Sequence, residues 1–126
     1  MILRTFFIVS LFMYTLYAYS SKAINAYAVA VYDANMNEEN IQGVRKTKKD
    51  YNGLTYTKIY AFGDFFHMQP HAQIGSSLGI LVRKRPIVKN GLHIGYEMIF
   101  KHLTVRSGYL EVYIGNELFD RSLYVK

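Results

Sequence analysis

The chain has 126 residues, 51% hydrophobic and 16% aromatic, with a formal net charge of +6. This length accommodates one domain that can bury enough surface to fold without covalent staples, and the lack of cysteine excludes disulfides, thiol catalysis, thiolate metal sites and a lipid-modified cysteine. The positive balance favours anionic partners such as lipid headgroups, polysaccharide or an acidic protein.

Met1 to Arg4 carries one cation ahead of an apolar run, Thr5 to Ala18, shorter than the ~20 residues of a membrane-spanning helix. The run reads as a signal peptide over 1–20, cleaved within about 20–23, where Ala18-Tyr19-Ser20 or Ser21-Lys22-Ala23 supplies small residues. Export without cysteine points to a periplasmic or secreted location. Nucleic acid is then not an expected partner, and membrane association is expected only if the N-terminal segment is uncleaved.

A single domain is expected over 24–126. Ile24 to Tyr32, rich in β-branched and aromatic residues, reads as the first strand. Asp33 to Asn52 reads as a long polar loop with a helical turn near Met36 to Asn40, and it includes the basic run Arg45-Lys46-Thr47-Lys48-Lys49. Leu54 to Phe62 alternates as a second strand, entered through the Asn52-Gly53 turn, with Leu54, Tyr56, Tyr60 and Phe62 on one side. Gly63 to Ser77 reads as an irregular connection carrying Phe65-Phe66 and Pro70. Leu78 to Val88 resumes a strand that Arg83-Lys84-Arg85-Pro86 interrupts, since proline confines that position to an edge or a strand end. Asn90-Gly91 is the strongest short-range hairpin signal, because both residues tolerate the positive φ of a type I′ turn. Leu92 to Val105 then forms the longest strand, with Leu92, Ile94, Tyr96, Met98 and Phe100 on one face.

The closing stretch, Gly108 to Val125, reads as a hairpin about Gly115-Asn116. Leu110, Val112 and Ile114 share its inward face, and Tyr109, Glu111 and Tyr113 the outward one. Phe119, Arg121 and Leu123 share one face of the return strand, and Leu118, Asp120, Ser122 and Tyr124 the other. A two-residue loop sets Val112 opposite Phe119 but Glu111 opposite Asp120, a like-charge pair, whereas a four-residue loop pairs Leu110 with Leu123 and Tyr109 with Tyr124. Both registers leave the same side chains inward.

Six to eight short strands between turn signals make the expected fold all-β, a small antiparallel immunoglobulin-like β-sandwich following the signal peptide. The run Gly108-Tyr109-Leu110-Glu111-Val112-Tyr113-Ile114-Gly115-Asn116-Glu117-Leu118-Phe119 resembles the last two strands of many immunoglobulin-like sandwiches. In their order, Gly53-Leu54, Gly63-Asp64-Phe65-Phe66, Arg85-Pro86 and Val112 to Phe119 are similar to landmarks of the curli assembly factor E family, which implies an exported, chaperone-like accessory role. The interval from Arg85-Pro86 to the closing strand is longer than in that family, and its tryptophans are missing here.

No constellation for chemistry emerges. His67 and His71 have a spacing that suits a metal on one helical face, but Pro70 lies between them. Ser76 or Ser77 with a histidine and Asp64 lacks the nucleophile elbow of a hydrolase, and Glu97 with Glu111 reads as solvated strand decoration. The expectation is therefore no catalytic residue, no metal and no cofactor. The candidate partner-binding residues are Tyr109, Tyr113 and Tyr124, an outward aromatic stripe, and Arg83, Lys84 and Arg85, a basic cluster that also guards a sheet edge. Together they suggest an exported, non-enzymatic binding or assembly module that recognises a protein or polysaccharide. The alternative is a periplasmic immunity or inhibitor protein that neutralises a toxin or hydrolase.

Overall fold

The computed structural model describes residues 24–63 and 68–126; the expected signal peptide and its cleavage region lie outside the described residues, as do Asp64 to His67. Alternation of β-branched and aromatic residues with polar ones produces β1 (Asn25–Tyr32), β2 (Glu38–Asn40), β3 (Gly53–Phe62), β4 (Pro70–Ile74), β5 (Ser77–Lys89), β6 (Leu92–Val105), β7 (Gly108–Ile114) and β8 (Glu117–Val125). They form one antiparallel sheet in the order β2-β1-β3-β6-β5-β4-β7-β8, and the described residues contain no helix. The all-β expectation holds.

Several segments differ from expectation. The helical turn near Met36 to Asn40 is replaced by a tight turn and the short strand β2: Asp33 Oδ1 accepts from the backbone N–H of Asn35 (3.0 Å) and Asn37 (2.9 Å), and Met36 takes a left-handed φ of 63°. An aspartate that gathers nearby amides offers the backbone an alternative to helix. The connection after Gly63 contains β4, which pairs along its whole length with β7 and buries Ala72 and Ile74. Pro70 stands at its first position, where a missing N–H is tolerated.

Nor does the Arg83-Lys84-Arg85-Pro86 stretch end its strand. It stays in register with β6 (Arg83↔Ile99, Lys84↔Met98, Arg85↔Glu97, Pro86↔Tyr96), and the irregularities fall on either side of it, at Val82, an extra residue between Leu81 and Arg83, and at Ile94, an extra residue opposite the Ile87–Val88 step. Beyond Leu78 no other described strand pairs with β5, so Pro86 lies on an open edge. The β5–β6 turn is the two-residue type expected, with φ of 53° at Asn90 and 75° at Gly91.

Both registers considered for the closing hairpin occur, one in each half. Next to the turn, Ile114 pairs with Glu117 and Tyr113 with Leu118; farther out, Leu110 pairs with Leu123 and Tyr109 with Tyr124. Register shifts on either side of the Val112–Asp120 pair absorb the difference and keep Asp120 from facing Glu111. The bulge corrects one face assignment, because Arg121 leaves the face of Leu123 and lies against Glu111 and Tyr109. Asp120 Oδ1 holds the bulge by accepting from Ser122 N (3.0 Å) and Oγ (2.7 Å).

One core joins the two halves of the sheet, Ala26, Ala28, Ile59, Met98 and Phe100 from one and Ala72, Ile74, Leu110, Val112 and Leu123 from the other. On β3 the buried side chains are Thr55, Thr57, Ile59 and Ala61, so its aromatic side faces out, where Tyr60 and Phe62 pack with Tyr27. The seam between β1 and β8 is spanned by the segment after β2. Ile41 N donates to Val29 O (3.0 Å), Tyr124 N to Arg45 O (2.8 Å), Thr47 N to Tyr124 O (3.0 Å) and Tyr51 N to Lys126 O (2.7 Å). Glu39 anchors this segment, accepting from Lys48 N at 2.7 Å and from the Tyr51 hydroxyl at 2.9 Å. Burial alone would raise the Glu39 pKa, but those donors hold it below its ordinary value.

Candidate functional site

The outward residues of β7 and β8 fall on one face with those of β4. Tyr109 is 43% exposed, and Tyr113 and Tyr124 are half-buried. The Tyr109 and Tyr124 rings meet edge to face at 5.2 Å, and the Arg121 guanidinium lies 4.7 Å from the Tyr109 ring centre. Glu111 sits at the middle. It accepts from the Tyr113 hydroxyl (3.0 Å) and from Gln73 Nε2 (3.1 Å), with Arg121 Nε 3.6 Å away. His71 stacks nearly parallel on Tyr113, with ring centres 5.0 Å apart. The hydrogen bond to Glu111, with some desolvation, raises the Tyr113 pKa and keeps the phenol a donor.

Sequence reasoning did not place His71, Gln73 or Arg121 on this face, the first two because β4 was hidden in an irregular stretch and the third because the bulge reverses its side. The pairing of Gln73 with Glu111 and His71 with Tyr113 across β4 and β7 carries them onto the tyrosine face. Aromatic rings held by one another, with a carboxylate, an amide and a guanidinium between them, form a polar-aromatic plane suited to stacking and hydrogen bonding.

Arg83, Lys84 and Arg85 are exposed on β5, apart from the tyrosines: β4 lies between β5 and β7, and β5 meets it only through Ser77 and Leu78. Lys84 Nζ lies 4.1 Å from the Tyr96 ring centre. The other basic run is not simply a solvated loop, since Arg45 and Thr47 bond β8 through their backbones and Thr47 is buried.

An open cleft of about 560 Å³ lies at the seam, lined by Tyr27, Ala28, Ile41 and Val44 on one side and by Phe119 and Asp120 on the other. Asp120 Oδ2 crosses the seam to accept from Ala28 N at 2.9 Å. The carboxylates Glu97 and Glu111 stand on β6 and β7 with β5 and β4 between them. Among the described residues no three His, Asp or Glu side chains gather as a metal site; His67 and Asp64 lie outside them. His102 is fully buried: Nδ1–H donates to the Ser77 carbonyl (3.2 Å), leaving Nε2 to accept from the Thr57 hydroxyl (2.9 Å). It is a satisfied core group.

Compared with known proteins, the chain matches no family model, no curated protein and no solved structure. Its own geometry carries the functional reading.

Proposed function

We propose that the chain is a non-enzymatic binding module, acting outside the cytoplasm, that takes a protein or polysaccharide partner on the outer face of β4, β7 and β8. One observation carries the reading: Tyr109, Tyr113 and Tyr124 point outward and are fixed by contacts with one another or with His71, Glu111 and Arg121. Rings already held in place lose little entropy on docking, and their faces supply contact area to a sugar ring or an apolar side chain. The N-terminal apolar run supports the export part of the reading. One core shared by the two halves of a single curled sheet supports a two-layered, immunoglobulin-like sandwich.

The test compares the wild-type chain with Tyr109→Ser/Tyr113→Ser in capture from extracellular or periplasmic extract and on a glycan array. The expected result is a partner retained by the wild type and lost by the double variant, with circular dichroism and melting nearly unchanged. Equal capture by a folded double variant would remove the tyrosine face as the binding surface.

A further inference from the structure

Apolar exposure among the described residues is concentrated in one hairpin, with Leu78, Ile80, Leu81, Val82 and Leu103 towards its base and Val88 and Leu92 at its tip. Of the eleven large hydrophobic side chains exposed among the described residues, seven belong to β5 and β6. The same hairpin, residues 77–105, carries five of the chain's cations, Arg83, Lys84, Arg85, Lys89 and Lys101, against the single acid Glu97, which pairs with Lys58 at 3.8 Å. Apolar surface and positive charge therefore share one element.

The hairpin also projects. The last β3 residue paired with β6 is Phe62, opposite Gly95; Gly63 N donates to Ile94 O (3.1 Å), and from there to the turn β5 and β6 pair with no other described strand. At the apex Val88 is 60% and Leu92 68% exposed, with Lys89 directly opposite Leu92. Behind them lies a collar of Arg83, Lys84 and Arg85. At ~3.3 Å per residue the collar stands roughly 10–17 Å back from Val88. Its side chains occupy both sides of the ribbon, since Arg83 and Arg85 lie opposite Ile99 and Glu97 while Lys84 turns to the other face, over Tyr96. An apolar apex backed by cations matches the depth profile of a bilayer surface, where acyl chains lie beneath a headgroup layer several ångströms thick.

We infer that the β5–β6 hairpin docks on an anionic phospholipid bilayer, with Val88 and Leu92 at the acyl boundary and the Arg83-Lys84-Arg85 collar among the phosphates. This route to a membrane is independent of the N-terminal segment and of the tyrosine face. A second copy of the chain fits poorly, because antiparallel pairing of two β5 edges would set their cations against one another. An acidic polymer would satisfy the collar but leave the apex in water. The bilayer meets both.

The chain has no cysteine, so one introduced cysteine takes a polarity-sensitive dye at a single site. Leu92→Cys reports the apex, and Ser76→Cys, exposed in the β4–β5 turn at the far end of β5, is the control. Full-length protein is mixed with vesicles of phosphatidylcholine alone or with 30–40% phosphatidylglycerol, at low and high salt. The expected result is a blue shift for Leu92→Cys on phosphatidylglycerol vesicles only, weakened by salt, and none for Ser76→Cys. Each cation near an anionic surface contributes roughly fivefold in partitioning, so Arg83→Gln/Lys84→Gln/Arg85→Gln should lose about a hundredfold. No shift at Leu92→Cys, equal shifts at both positions, or full binding by a folded triple variant would overturn the inference. Capture by polyglutamate or dextran sulfate as tight as by the vesicles, with no apex shift, would replace the bilayer with an acidic polymer.

Discussion

Acidification should weaken this fold through one residue, His102. Its ring is fully buried between Thr57 and Ser77, and desolvation, opposed by the bond to the Ser77 carbonyl, lowers its pKa from 6.5. The folded chain thus keeps the ring neutral at a pH where the unfolded chain takes up a proton. The stability is complete above about pH 6.5 and declines as pH falls towards the lowered folded value, by up to ~1.4 kcal/mol per pH unit. Between pH 7.5 and 5.5 the loss reaches up to about 1.4 kcal/mol, or roughly 3–6 °C in Tm for a domain of this size. That window lies above the range in which Glu39 takes up its proton. Its lowered pKa contributes stability that is present above its ordinary 4.5 and lost only at lower pH. Urea melts of the wild type and of His102→Gln at both pH values measure the effect. The variant should start less stable, because Thr57 and Ser77 lose their partner, but its dependence on pH should be flatter. Equal slopes for the two proteins would refute the assignment of a neutral, buried ring.

Two further predictions concern the closing hairpin. Val112 is fully buried, so Val112→Ala should cost about 2 kcal/mol in chemical denaturation. Phe119 is only partly buried against the core, so Phe119→Ala should fall short of the ~3–5 kcal/mol usual for a buried phenylalanine. Asp120→Ala removes the acceptor for Ala28 N across the seam together with the Ser122 contacts, and should cost about 2 kcal/mol or more. Asp120→Asn keeps one carbonyl oxygen and should cost less, a difference visible in the same urea series.

Strands with steady alternation were legible from residues alone: β6, with Tyr96, Met98 and Phe100 inward, and β7, with Leu110, Val112 and Ile114 inward, stand as periodicity places them. So does the Asn90-Gly91 turn, because both residues accept its backbone. What escaped depends on distant partners. β4 is five residues with only Ala72 and Ile74 apolar at alternate places, a pattern that carries weight only once β7 lies beside it. The side taken by Arg121 turns on a register shift that local pattern does not encode. Periodicity also showed that Tyr56, Tyr60 and Phe62 share a face of β3, but not which face. The threonines Thr55 and Thr57 lie inward, Thr57 because His102 offers it a partner. Of the candidate site, the three tyrosines were visible as an outward stripe, while His71 and Gln73 came with β4.

The seam has a consequence in time as well as in energy. Asp120 bonds an amide 92 positions away, and Tyr124 meets Arg45 and Thr47 across nearly as long an interval, whereas β5 and β6 are joined by a two-residue turn. Local hairpins form in microseconds, but contacts across such spans wait on the rest of the chain. The β5–β6 ribbon should therefore fold early and the seam close last, and the seam should be the first part to open. In pulse-labelled hydrogen exchange the amides of Phe100 and Lys101 should gain protection ahead of those of Ala28 and Tyr124. During that interval the edges of β1 and β8 stand unpaired, which makes the half-closed sheet, rather than the native one, the species most prone to join its neighbours.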